Sequence, residues 1–109
     1  MGGTAVLPDE LTIRLRVIRS IAAAAAEGVP GVLRVGRGGP RPLAWLAGRP
    51  VAAWKDADGV HVRLWLIVRP GEPLPALSRR VRAAVSRAVE RQLGLELGDV
   101  TILVDGVGG

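Results

Sequence analysis

Strict alternation dominates the middle of the chain. In GVHVRLWLIVRP, residues 59–70, every even position from Val60 to Val68 is aliphatic, whereas the odd positions are His61, Arg63, Trp65, Ile67 and Arg69. Successive side chains on a β-strand point to opposite faces, so the pattern predicts a long strand over residues 60–69 with an aliphatic inner face. RPVAAWK, residues 49–55, reads as a second strand, and KDADGV as the polar turn between them, with Gly59 supplying a positive φ. A hairpin over that turn pairs Lys55 with Val60, Trp54 with His61 and Ala52 with Arg63. The face turned away from the aliphatic side is then Trp54, His61, Arg63, Trp65, Ile67 and Arg69.

Two other segments carry helical spacing. Over residues 8–27, Leu11, Leu15, Ile18 and Ala22 recur on one side, with Thr12, Arg16 and Arg19 opposite. Pro8, Asp9 and Glu10 suit a helix start, and Gly28 and Pro30 a stop. LTIRLR, residues 11–16, also alternates with period two and can be read as a strand. Helix is preferred, because nothing between Arg14 and Arg19 caps a new start. Residues 75–93 place Leu77, Val81, Ala84, Val85, Ala88 and Val89 on one side, and Gly94 ends that helix. The other side clusters Arg79, Arg80, Arg87 and Arg91 into a candidate basic face. GVLRVG (31–36) and DVTILVDG (99–106) complete the strands, and LAWLAG (43–48) is consistent with one helical turn.

The resulting order is α-β-β-β-α-β. It predicts an α+β domain with two helices packed on one face of a three- to four-stranded mixed sheet, the strands flanking the second helix lying parallel. Residues 1–7 are expected to be a disordered start, residues 8–107 the single domain and residues 108–109 a flexible tail.

Composition narrows the chemistry. The 109 residues contain no cysteine, which excludes disulfides, thiolate metal sites and a cysteine nucleophile. The net charge is +5, and every basic residue except Lys55 is arginine. A high-GC genome accounts for arginine over lysine, and the sign of the charge favours acidic partners. No segment approaches the length of about 20 apolar residues that a membrane-spanning helix needs. The start MGGTAVLPDEL lacks the form of a signal peptide.

No catalytic constellation is visible. One histidine cannot build a histidine metal site, and Ser20, Ser78 and Ser86 all fall in helical segments away from His61. RGGPRP, residues 37–42, has the glycines of a phosphate loop without its lysine. Asp56 and Asp58 begin like a calcium loop, but position twelve would be Ile67. No cofactor, metal or small-molecule substrate is therefore expected. The Trp/Arg face has two functional readings. One is a protein interface, in which Trp and Arg anchor. The other is a single-stranded nucleic-acid platform, in which aromatics stack on bases. A third reading is structural: RPLAWLAG, residues 41–48, folds over the face and buries it.

Together these elements resemble the alkaline shock protein family of bacteria, also called envelope stress response proteins. The resemblance is carried by VIRSIAAAAAEGVPGV (17–32) and by residues 46–107. These contain the alternating-Val strand, a Pro-containing approach to the second helix, its terminal Gly94, and a last strand closing on Asp105, Gly106 and Val107. The order and spacing of these elements, rather than any one motif, carry the weight. The resemblance implies a small cytoplasmic, non-enzymatic protein tied to cell-envelope homeostasis, acting through a protein partner or as a homo-oligomer. It also implies that the membrane is reached only through a partner, and it brings no catalytic residues. The short form and arginine-rich composition suggest an actinobacterial member.

Overall fold

The computed structural model describes residues 9–38 and 48–108. Helix α1 spans Glu10–Glu27 and helix α2 spans Leu74–Leu93. The strands are β1 (Val32–Val35), β2 (Val51–Asp56), β3 (Gly59–Val68) and β4 (Val100–Val107). The order is the expected α-β-β-β-α-β.

Leu11 to Arg16 are helical, which settles the period-two ambiguity. The N-cap Asp9 accepts the Thr12 N–H at 2.7 Å, satisfying one of the unpaired donors of the first turn. At the other end Gly28 donates to the Ala24 carbonyl at 3.2 Å. Helix α2 starts one residue earlier than expected, at Leu74, and ends on Gly94 in the left-handed conformation.

β3 organises the sheet. β2 pairs antiparallel with its first half, in the predicted register of Lys55 with Val60, Trp54 with His61 and Ala52 with Arg63. Gly59 takes φ 120° to close the hairpin, and the Asp58 N–H donates to Asp56 Oδ1 at 2.8 Å. β1 pairs antiparallel with the last residues of β3, while β4 runs parallel to β3 from Val62 to Val68. Because β4 occupies one edge throughout, β1 and β2 share the other edge, one after the other. They change over at Trp65, whose N–H donates to Pro50 O at 2.8 Å and whose carbonyl accepts from Gly36 N–H at 2.9 Å.

Alternation then places the core. Val60, Val62, Leu64, Leu66 and Val68 are all buried, packed with Ile18, Ala22 and Ala26 of α1 and Leu77, Val81, Val85 and Val89 of α2. Both helices therefore cover the even-numbered face, and the alanines of α1 let its backbone approach the sheet closely.

Candidate functional site

The odd-numbered face of β3 lies opposite both helices, and the six residues expected there have very different environments. Trp54 is 38 % exposed, and Arg63 and Arg69 are exposed. Trp65 is half-buried. His61 and Ile67 are each only 5 % exposed, so these two contribute no open surface, contrary to the expected contact face. Arg69 lies one residue beyond β3, its N–H bonded to the Gly31 carbonyl at 2.9 Å.

His61 is buried by the connection between α2 and β4. The Gly98 N–H donates to the Val60 carbonyl at 2.7 Å, and Gly98 sits so close that a Cβ there would lie 2.8 Å from His61 Cε1. The Asp99 N–H donates to His61 Nδ1 at 3.0 Å. A backbone N–H can only donate, so Nδ1 is the acceptor and the proton of the neutral ring sits on Nε2. Nε2–H then donates to Asp56 Oδ1 at 2.7 Å. That hydrogen bond, followed by the Asp58 N–H, holds the Asp56 carboxyl below its ordinary value of 3.8. His61 thus ties the hairpin turn to the start of β4. Ser20 lies on α1, and Ser78 and Ser86 lie on α2, across the sheet from it, so none of the three serines meets this imidazole.

Arg37, just beyond β1, lies across Trp65. Its guanidinium carbon is 3.7 Å from the ring centroid, and its Nε is 3.3 Å from Asp105 Oδ2. Asp105 is the residue skipped where the β3–β4 register shifts between Leu66 and Ile67. The bulge turns its carboxylate to this face, where the Gly38 N–H and then Arg37 hold its pKa below 3.8. On the far side, Gly106 and Gly108 bring backbone against Ile67; a Cβ on either would come within 3.2 Å and 3.3 Å of its side chain. Trp54, Arg63 and Arg69 remain open, and the Arg63 guanidinium carbon is 5.7 Å from the Trp54 indole centroid.

Sequence reasoning missed Arg37, Asp105 and Gly98. Each acts on a residue far away in the chain, and no local spacing announces it. The notion that residues 41–48 cover the sheet lies almost wholly outside the described residues; Arg37 provides the observed cover over Trp65.

The expected basic face of α2 divides. Arg80, Arg87 and Arg91 line a groove of about 620 Å³ whose opposite wall includes Ile21 and Ala24 of α1 and its C-cap Gly28, and Arg79 is not among the lining residues. Arg80 also lies 3.6 Å from Glu72 Oε2.

Among the described residues no helix is long and apolar enough to cross a membrane, and no group of three or more His, Cys, Asp or Glu residues could hold a metal ion. Two helices on one face of an open mixed sheet, with a Trp/Arg patch on the other, define a two-layer α+β domain. A family profile matches residues 7–108: the chain belongs to the Asp-23 (alkaline shock) family, described by its cell envelope-related function. No curated protein matches the chain.

Solved structures of MamM CTD share the fold. A copper form is 16 % identical, with TM-score 0.54 over 86 % of this chain and 87 % of that one. A zinc form of a variant is 16 % identical, with TM-score 0.53 over 85 % and 86 %. A manganese form of another variant is 18 % identical, with TM-score 0.51 over 84 % and 96 %.

Proposed function

We propose that the protein is a non-catalytic assembly component of cell-envelope homeostasis that works through the outer face of its sheet. It binds a protein partner or a second copy of itself, resides in the cytoplasm and meets the membrane only through a partner. The observation that carries this reading is Trp54, 38 % exposed on a sheet face that neither helix covers. An indole beside an arginine is the composition of an interface anchor, because it buries a large area with few rotatable bonds. Trp54 supplies the buried area, and Arg63 and Arg69 supply orientation. Trp65 and its Arg37–Asp105 brace form a preset floor.

The nucleic-acid alternative is less well served. Stacking bases needs free ring faces in series, and one face of Trp65 already carries the Arg37 guanidinium.

The test is light scattering coupled to size exclusion, on the wild type and Trp54→Ala. The wild type is expected to exceed monomer mass at high concentration, and the variant to shift toward the monomer. A wild type that stays monomeric at every concentration removes self-assembly.

A further inference from the structure

The changeover between β1 and β2 creates a second feature. Arg19 of α1, Arg37 after β1, Arg49 before β2 and Arg63 of β3 line one hollow of about 390 Å³, together with Trp65. An adjoining hollow of about 340 Å³ on the helix side shares Arg19 and Arg49 and adds Arg16. Five guanidiniums therefore follow the sheet edge from the helix layer to the outer face. Among the described residues one carboxylate reaches this cluster, Asp105 on Arg37. Among the described residues, Arg19, Arg49 and Arg63 have no carboxylate within ion-pair distance. The sequence offers little more, since Glu27 is the sole acid between Arg14 and Lys55.

Bringing like charges together in a concavity is unfavourable unless an anion fills it, and the same geometry focuses the field that attracts one. The guanidinium fork matches the oxygens of phosphate, and several forks can share one tetrahedral group. Acidic side chains on one face of an extended peptide stand roughly 7 Å apart, which suits a row of arginines rather than a ring around a hollow. The volume lies within the range for small-ligand pockets, roughly 300–1,000 Å³, and leaves room beyond a single phosphate.

We infer that this hollow is a phosphate-binding site that takes a ligand bearing linked phosphates or a phosphate ester, held by Arg19, Arg49 and Arg63 with Trp65 as an apolar wall. The chemistry is common to a soluble nucleoside diphosphate and to an anionic lipid headgroup. The site shares Arg63 and Trp65 with the proposed assembly face but does not depend on it: a strictly monomeric chain that binds the anion keeps this inference and removes self-assembly.

The experiment uses the full chain. Inorganic pyrophosphate and ADP are titrated in by calorimetry, and vesicles with and without phosphatidylglycerol are co-sedimented with it. Arg49→Gln/Arg63→Gln changes two exposed side chains and is checked by thermal melting. Arg79→Gln/Arg91→Gln is the control, since it removes the same charge outside the hollow. The hollow variant is expected to bind about tenfold or more weakly, the scale of losing charge-assisted contacts, and the control to stay close to wild type. Saturable pyrophosphate or ADP binding lost in the hollow variant assigns a soluble source. Binding only to the anionic vesicles, lost in the same variant, assigns the headgroup. No binding to any probe, or equal losses in variant and control, overturns the inference.

Discussion

The two faces of β3 are built from alternate residues of one ten-residue strand, yet they are specified differently. On the inner face the side chains themselves decide the outcome. Five aliphatic residues meet two aliphatic helix faces, and any register that buried one would bury all. On the outer face each side chain takes its environment from elsewhere. His61 is roofed by Gly98 and Asp99, Trp65 by Arg37, and Ile67 by Gly106 and Gly108. Trp54, Arg63 and Arg69 receive no such roof and stay exposed on this face. A face that looks uniform in sequence is thus a mosaic of closed and open positions.

The sharpest way to break this comparison is to mutate adjacent residues on opposite faces. Leu64 is fully buried among both helices. Leu64→Ala should cost about 2–5 kcal/mol, from lost apolar burial plus the residual cavity, read as a fall in the urea midpoint at constant slope. A loss below about 1 kcal/mol would mean that the two layers are not packed as described.

Next in size is His61→Leu. The inner-face logic predicts that a buried apolar residue of similar volume is tolerated. The outer-face logic predicts a cost, because the Asp99 N–H and the Asp56 carboxylate both lose their partner. The Asp99 N–H sits in a part-buried setting, where a lost hydrogen bond costs about 0.5–1.5 kcal/mol, so the variant should be destabilised on that scale. Amide exchange at Asp99 should also accelerate. Unchanged stability would show that the imidazole only fills space.

A third test uses pH. Asp105 and Asp56 have folded-state pKa values below 3.8, through the Gly38 N–H and His61 respectively. A depressed carboxyl contributes stability that is fully present above the unfolded value and is lost as pH falls through the folded one. The gap in stability between wild type and Asp105→Asn should therefore be constant from neutral pH down to about 5 and close as pH falls below about 3.8. A gap that persists in acid would mean that Asn preserves none of the bonding geometry and that charge is not what the bulge holds.

This division also explains how much could be read before the fold was known. The helices, the hairpin register and the inner face follow from spacing over a few residues. So does the position of Trp54, opposite His61. The burial of His61 and Ile67 did not follow, because Gly98, Asp99, Gly106 and Gly108 lie 37 or more residues further along in sequence and act through backbone rather than side-chain pattern. The bulge at Asp105 is equally silent: DVTILVDG alternates well enough to hide the skipped position. The arginine hollow was missed for the same reason, since Arg19 of α1, Arg49 before β2 and Arg63 of β3 are far apart in sequence and meet where β1 gives way to β2.

The smallest stability effect is expected at Arg63, one residue from Leu64. Its side chain is exposed, its aromatic contact with Trp54 is long at 5.7 Å, and no carboxylate pairs with it among the described residues. Surface substitutions without such ties usually fall within about 0.5 kcal/mol. Arg63→Ala should therefore melt close to wild type. If the open positions serve binding rather than folding, the same variant should weaken assembly and lower the affinity for pyrophosphate. A large destabilisation would place Arg63 among the residues that hold the sheet together and would leave Trp54 and Arg69 as the open residues of the proposed interface. A silent variant in all three measurements would remove Arg63 from both proposed sites. Leu64 and Arg63 thus form a matched pair, the first expected to carry stability and the second, under the proposed function, recognition, separated by a single step along the strand.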